Sequence, residues 1–509
     1  MSNLKLIVMK KLISFLLTII IPFFTYSQGI FNLEGTLTRD IVFSPTAKLF
    51  SNSKVILSQT DVNASELKYY ITTSGNTYEI SKRDALSIKL DPPNCLNDVW
   101  AIASFNSDVY DNLANYGVQY DLRKELDEEA NHYIGMLYEH NAFFNDEYLT
   151  DYLQTLLYKI HPITLADGRP GNLNILVLKS SSPNASCFPN GTIVINTGLL
   201  SLVESEAELI SILAHEVAHF VLDHQIVNIN EQAKRIKKAE FWSVIATLAA
   251  AATETYLATQ SEYYVPTGDL TASVALLSTG IANEIIDRLG AKYDREQEQE
   301  ADMVASQLLK FLNIDPSAFN SVLMRFYDYG IITGNYGMFL NTKNSTHPAI
   351  QERIQSAAGP VNPDKFYSIQ YLQKISLVTS YSAINEFNSR HYNNCSELVD
   401  RNIKAEVATE SDYIIKAMLT RIFSDTEASN NESLKLLRIA EGLDVTNMIY
   451  VYKQLGITYL RLSKYTEAIQ SFEDYLNHLN SIENPAEYII EEIDWTNTMI
   501  YKTKQFENV

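Results

Sequence analysis

The stretch His215-Glu216-Val217-Ala218-His219 lies inside an apolar run in which Ala207, Leu209, Ile210, Ile212, Leu213, Val217 and Phe220 recur at helical spacing. Residues four apart share a helix face, so His215 and His219 present two imidazole nitrogens to one point. A zinc ion is held in this way, about 2.0–2.1 Å from each nitrogen. Glu216 projects beside them without being drawn into the ligand set. A carboxylate there can take a proton from a water that the metal has acidified, from a pKa of about 15.7 to about 7. Ser205 followed by Glu208 reads as a capping box, so the helix is expected to begin just after Ser205. The pattern His-Glu-x-x-His arises by chance in about one or two of every hundred chains this long. Two histidines and a glutamate in an apolar helix are costly to bury without a ligand or partner, which tips the reading to a metal site. A catalytic zinc takes three protein ligands and keeps one position open, so a third ligand is expected elsewhere.

Around this helix the chain is long and mixed. With 509 residues and 46% hydrophobic content it is expected to form two or three packed domains. A net charge of -21 argues against a general nucleic-acid binder, since phosphate backbones reward clustered Lys and Arg. Lys10 and Lys11 precede an apolar run from Leu12 to Phe24, and Ser27 stands at a cut site, so residues 1–27 read as a secretory signal peptide. An uncleaved anchor is the alternative, although the run is shorter than the ~20 residues a bilayer span needs. Three cysteines, Cys95, Cys187 and Cys395, exclude a dense disulfide scaffold and allow one bridge at most. Residues 28–110 have the alternating texture of a small β-rich domain, with Lys54-Val55-Ile56-Leu57 and Tyr69-Tyr70-Ile71-Thr72-Thr73 as strands and Ser74-Gly75-Asn76 as a turn. Asp91-Pro92-Pro93-Asn94 breaks that texture, and helical periodicity is expected from near Leu122 through Leu157. Strands are expected over 172–178 and 191–196, with Phe188-Pro189-Asn190 turning between them.

The third ligand has three candidates in Arg295-Glu296-Gln297-Glu298-Gln299-Glu300-Ala301-Asp302, and spacing alone does not choose among Glu296, Glu298 and Glu300. His-Glu-x-x-His followed by Glu-x-x-Ala-Asp resembles the HtpX-like, BepA-like and Oma-type metallopeptidases, relatives of the CAAX prenyl endopeptidases in the M-forty-eight peptidase family. The resemblance covers roughly Leu122 to Ala358. It implies a zincin-like catalytic domain over 111–358 holding one Zn2+ through His215, His219 and Glu298, with Glu216 as catalytic base. It makes Asp302 the group that orients a metal-ligating histidine from behind. Asn184, Ala185 and Ser186 resemble the family's edge strand, where extended substrate pairs by backbone. Ser345-Thr346-His347-Pro348 resembles its His-Pro segment, so His347 either covers the metal or steadies an oxyanion, with a solvent-facing loop histidine as the plain alternative. His224 is five residues past His219, off the metal face, and reads as structural.

The fold class implied is α+β and predominantly helical: a β-rich N-terminal domain, a catalytic domain with a small edge-strand sheet, and a helical domain over 359–509. Within the last, Tyr452, Leu455, Gly456, Tyr459, Ala468, Phe472 and Tyr475 follow tetratricopeptide spacing, and several degenerate copies are expected from about Tyr367. Those repeats either dock a protein partner or serve as a helical lid. An insertion over 240–290 reads as a helical hairpin, with peripheral contact of 241–286 to a membrane surface as the sharper alternative. The function implied is an exported zinc endopeptidase of envelope protein quality control that cleaves misfolded or unassembled proteins. Export by the Sec route would place it in the periplasm, at the outer membrane or secreted. The competing readings are an assembly factor or chaperone that binds clients through the repeats with little proteolysis, and a non-peptidase metal hydrolase.

Overall fold

The structure, a computed structural model, describes residues 31–44, 47–59, 68–107, 109, 118–139, 141–163, 165, 173–226, 293–333, 350, 353–354, 363–443, 449–485 and 487–507. The leader 1–27, the insertion 240–290 and His347 lie outside the described residues. Most of the described chain is helical, beside small sheets, so the fold is α+β and predominantly helical. It falls into two compact units, one of residues 1–125, 161–172 and 221–226, the other of residues 126–160, 173–220 and 227–509.

In the first unit β1 (Asn32–Leu37), β4 (Lys54–Gln59), β5 (Tyr69–Thr73), β6 (Asn76–Ile80) and β7 (Ile88–Leu90) form an antiparallel sheet in the order β6-β5-β4-β1-β7. β2 (Ile41–Ser44) and β3 (Ala47–Leu49) make a separate hairpin. Side chains of β1 and β4 alternate between exposed and buried, as a sheet with one covered face requires. The expected turn joins β5 to β6: Ser74 (φ 48°) and Gly75 (φ 80°) both take positive φ between the paired Thr73 and Asn76. Two such residues make the tight turn whose twist matches its flanking strands. The short helix α1 (Lys82–Ala85) precedes β7.

Helical structure begins earlier than the periodicity predicts. Helix α2 (Leu96–Asn106) follows the Asp91–Asn94 breaker directly. Its signal is local: the Asp98 carboxylate accepts hydrogen bonds from the N–H groups of Asn94 (2.8 Å) and Cys95 (3.1 Å), satisfying donors at the helix start. Trp100 and Phe105 are buried, and Phe105 meets Phe31 and Tyr69 edge-on.

The helix α3 (Val118–Glu139) begins in the first unit and continues in the second from Leu126, where α4 (Glu147–Tyr158) leads to a three-stranded sheet of β8 (Asn174–Leu178), β9 (Ala185–Cys187) and β10 (Thr192–Asn196). The order is β8-β10-β9, with β10 parallel to β8 and antiparallel to β9. Every residue of the central strand β10 is buried, as expected of a strand covered on both faces. Helix α5 (Thr197–Leu202) continues from it, and Gly198 passes so close to the chain that an added Cβ would lie 2.0 Å from the Ser181 carbonyl oxygen. Next come α6 (Glu206–Val221), α7 (Arg295–Phe311) and α8 (Ser317–Thr333).

The C-terminal helices are α9 (Ile369–Lys374), α10 (Ser376–Asn388), α11 (Tyr392–Lys404), α12 (Glu410–Phe423), α13 (Glu427–Gly442), α14 (Ile449–Arg461), α15 (Tyr465–Asn480) and α16 (Glu487–Glu507). From α10 onward each packs against the next, and α10, α12 and α14 also touch in series. One apolar core runs through them from Ala383 to Phe472. Gly456 is required where α14 crosses α15, because a Cβ there would sit 2.4 Å from the fully buried Phe472 ring. This stack is fastened to α5 and the residues that follow it: Tyr371 donates to the Leu200 carbonyl (3.0 Å), Ser201 and Ser382 share a hydrogen bond (2.9 Å), and Arg401 pairs with Glu204 (3.0 Å). Among the described residues no helix is long and apolar enough to cross a membrane, and the three cysteines are free thiols.

Candidate metal centre

Helix α6 starts where its cap predicts. Ser205 Oγ accepts from the Glu208 N–H (3.2 Å). The Glu208 carboxylate reaches back to the N–H of Glu204 (2.6 Å), one residue earlier than in a capping box. Its other oxygen accepts from Ser321 Oγ (2.6 Å) and Arg325 Nε (2.8 Å), so the fully buried cap residue also ties α6 to α8. From this anchored start the helix delivers His215, Glu216 and His219, which are 3%, 2% and 0% exposed.

Helix α7 supplies the facing side. Asp294 and Gln297 cap each other reciprocally, at 2.9 and 3.1 Å, which sets Glu298 in the first turn and Asp302 one turn further on the same face. Glu298 Oε2 lies 3.6 Å from His215 Nε2, Glu298 Oε1 lies 3.5 Å from His219 Nε2, and the two Nε2 atoms are 3.0 Å apart. Donors about 2.05 Å from a tetrahedral ion stand about 3.3 Å from one another, so the two imidazole nitrogens and the Glu298 carboxylate fit around one zinc-sized cation. Among the described residues this is the one group with metal-holding spacing. Of the rival glutamates Glu296 is exposed and Glu300 half-buried, and neither joins the group. His224 is buried and outside the group as well.

Behind the donors Asp302 Oδ1 stands 2.9 Å from His215 Nδ1, the ring nitrogen turned away from the cluster. Arg353 completes a network that the sequence reading left without a role for this residue. Its Nε and Nη2 donate to Asp302 (3.0 and 2.7 Å), and its Nη1 lies 2.7 Å from Glu298 Oε2. Burial pushes the Asp302 carboxyl up, but the Arg353 guanidinium and the His215 ring outweigh it and hold the group below the usual range. Burial likewise opposes the Arg353 charge, and Asp302 and Glu298 overcome it. Two aromatic rings complete the setting: the Phe319 ring stacks on His215 (centroids 5.3 Å) and stands 5.2 Å from the Arg353 guanidinium, and Tyr293 stacks on His219 at 3.5 Å. Long-range partners of this kind leave no local spacing signal.

The sheet borders the site through β9. The Cys187 N–H donates to Glu216 Oε2 (3.3 Å), so the strand edge touches the carboxylate next to the donors. Burial, then the nearby Glu216 charge, pushes the Cys187 thiol well up. β9 is an edge strand among the described residues. Asn184 O accepts from Asn196 N and Phe188 N donates to Thr192 O, while Ser186 stands opposite Val194. By the alternation of an antiparallel ladder, Asn184 and Ser186 direct their backbone groups to β10, and Ala185 and Cys187 direct theirs outward. Of the three residues expected to meet substrate, Ala185 therefore has the outward backbone.

Residues 152–361 match Peptidase family M48. Over this segment the chain is similar to the peptidase domains of that family. The chain is 22% identical over 324 residues to the "Beta-barrel assembly-enhancing protease" of Escherichia coli (strain K12), covering 62% of this chain and 61% of the relative. It is 27% identical over 221 residues to the "Mitochondrial metalloendopeptidase OMA1" of Schizosaccharomyces pombe, covering 41% and 56%. The matches thus span less than two thirds of either relative.

Proposed function

We propose that the chain is an exported zinc endopeptidase that cleaves unfolded or unassembled proteins. The observation that carries this reading is the convergence of His215 Nε2, His219 Nε2 and Glu298 beside a carboxylate, Glu216, that faces an edge strand. His215, His219 and Glu298 would hold one zinc ion, which supplies Lewis acidity to water and to the scissile carbonyl. Glu216 takes the proton of the attacking water and returns it to the leaving amine. The outward backbone of Ala185 pairs with an extended peptide, which selects for unfolded chain rather than for side-chain identity. Asp302 fixes the ring of His215, and Arg353 fixes Asp302 and Glu298 together. His347, read from the sequence, steadies the tetrahedral oxygen.

The serial packing of α10 to α15 supports the tetratricopeptide reading, and with it a surface that delivers protein clients. The assembly named in the bacterial relative's description supports unassembled envelope proteins as those clients, and a periplasmic site of action. The test is cleavage of an unfolded protein by the refolded chain as purified, after metal stripping, and after zinc is restored. Peptide fragments that vanish on stripping and return with zinc support the proposal, and metal-independent cleavage or none at all sinks it. Removal of the residues after Pro363 separates the chaperone reading: client binding that persists without them refutes delivery by the repeats.

A further inference from the structure

The ring of His219 lies against the ring of Tyr293 with centroids 3.5 Å apart and planes 13° from parallel. Carbon atoms in contact stand about 3.5–4.0 Å apart, so rings at this separation overlap almost fully, face to face. Two aromatic rings ordinarily avoid that arrangement: both faces are negative, and the pair settles offset or edge-on with centroids about 4.5–7 Å apart. His215 follows the ordinary pattern, 5.3 Å from Phe319 and edge-on to His219 at 4.6 Å. The Tyr293 overlap becomes favourable when the partner ring carries positive charge, because the face of a phenol attracts a cation. An imidazole whose Nε2 donates to a divalent ion is such a ring.

The place of Tyr293 follows from the start of α7. Asp294 is the N-cap, with extended backbone and a reciprocal cap to Gln297. Tyr293 is therefore the residue before the cap and Glu298 the fourth of the helix, the two positions whose side chains meet at a helix start. Where that pair is apolar it staples the incoming chain. Here the fourth residue is a carboxylate of the metal-holding group, and the residue before the cap is a ring laid on the facing helix α6. The short segment Tyr293–Glu298 thus brings one donor and the plate behind another. Tyr293 is 5% exposed and His219 fully buried, so water screens their contact little.

We propose that Tyr293 is the positioning residue of His219: its face fixes the imidazole plane with Nε2 toward the other donors and stabilises the ring in its metal-bound form. The proposal rests on the zinc reading above. Asp302 holds the other histidine from its edge instead, at His215 Nδ1 (2.9 Å).

The test is the zinc dissociation constant of the full chain, measured against a chelator of known affinity, with the visible absorption of the cobalt-substituted chain as a separate reading of ligand geometry. Tyr293→Phe keeps the negative face and should hold the constant within about twofold of wild type, with the same cobalt bands. Tyr293→Leu removes the face and should raise the constant about three- to thirtyfold, with the bands displaced. Pentafluorophenylalanine in place of Tyr293 keeps the ring's shape, and so the fold, but not its negative face; the constant should rise at least about threefold over that of Tyr293→Phe. The proposal is overturned if Tyr293→Leu or the fluorinated protein binds zinc as the wild type does, or if Tyr293→Phe loses as much as Tyr293→Leu, which would give the role to the hydroxyl. A wild-type chain that takes up no zinc overturns the metal reading beneath it as well.

Discussion

Asp302→Asn probes the network behind the donors with the smallest change of shape. In the wild type one carboxylate stands 2.9 Å from His215 Nδ1 and accepts two hydrogen bonds from Arg353, which in turn reaches Glu298 at 2.7 Å. An asparagine has one acceptor oxygen, so it cannot hold the ring and both guanidinium donors together. His215 loses the fixed orientation of its ligating nitrogen, and Arg353 keeps only part of the grip that positions Glu298. Removing such a partner behind a metal ligand typically lowers affinity about 10- to 100-fold, or about 1.4–2.7 kcal/mol. Competition against a zinc chelator of known affinity measures the change, and circular dichroism confirms that the fold is kept. The expected result is a zinc dissociation constant raised by that factor, with helix content unchanged. A constant equal to that of the wild type would refute the role given to Asp302.

Other outcomes follow from separate parts of the structure. Gly456→Ala places a Cβ against the buried Phe472 ring and should cost about 1–3 kcal/mol, read as a lower midpoint in urea; an unchanged midpoint contradicts the close crossing of α14 and α15. Ala185→Pro removes an outward N–H that β10 does not use, so kcat/KM on an extended peptide should fall up to about tenfold in a folded protein, and full activity would detach β9 from substrate pairing. The His391 pKa is raised by its hydrogen bond to Glu386, with burial opposing. The pair's stabilisation is thus full below the unfolded value of about 6.5 and lost as pH rises through the higher folded value. It amounts to less than about 1 kcal/mol because the ring is nearly half exposed, and the melting-temperature gap to His391→Gln should narrow from about pH 5.5 to 9; a widening gap reverses the sign.

How much was legible in the sequence follows the range of each interaction. The metal helix, its cap at Ser205, strands β8 and β10 and the Ser74-Gly75 turn are written in local spacing, and the structure has them where that spacing predicts. Glu298 was distinguished from Glu296 and Glu300 by resemblance alone, and its burial against the two histidines is what geometry adds. Strand β9 is three residues long and wholly buried, too short for an alternating pattern, so Asn184, Ala185 and Ser186 read as an edge strand through the family resemblance alone. Helix α2 was hidden in the β-rich segment because its cap is a cysteine, outside the usual capping residues. Arg353 lies 51 positions from Asp302, and Ser382 lies 181 from Ser201; contacts at that range depend on the fold and leave no trace in residue periodicity.

The most direct test of the central claim is zinc content and peptidase activity measured together on wild type and Glu216→Gln. Glu216 sits beside the three donors but outside them, so the variant should retain one zinc per chain, in about wild-type affinity, while cleavage falls by at least about a hundredfold. Cleavage at the wild-type rate by the zinc-loaded variant, or loss of the metal along with the activity, would contradict the assignment of His215, His219 and Glu298 as ligands and Glu216 as the base.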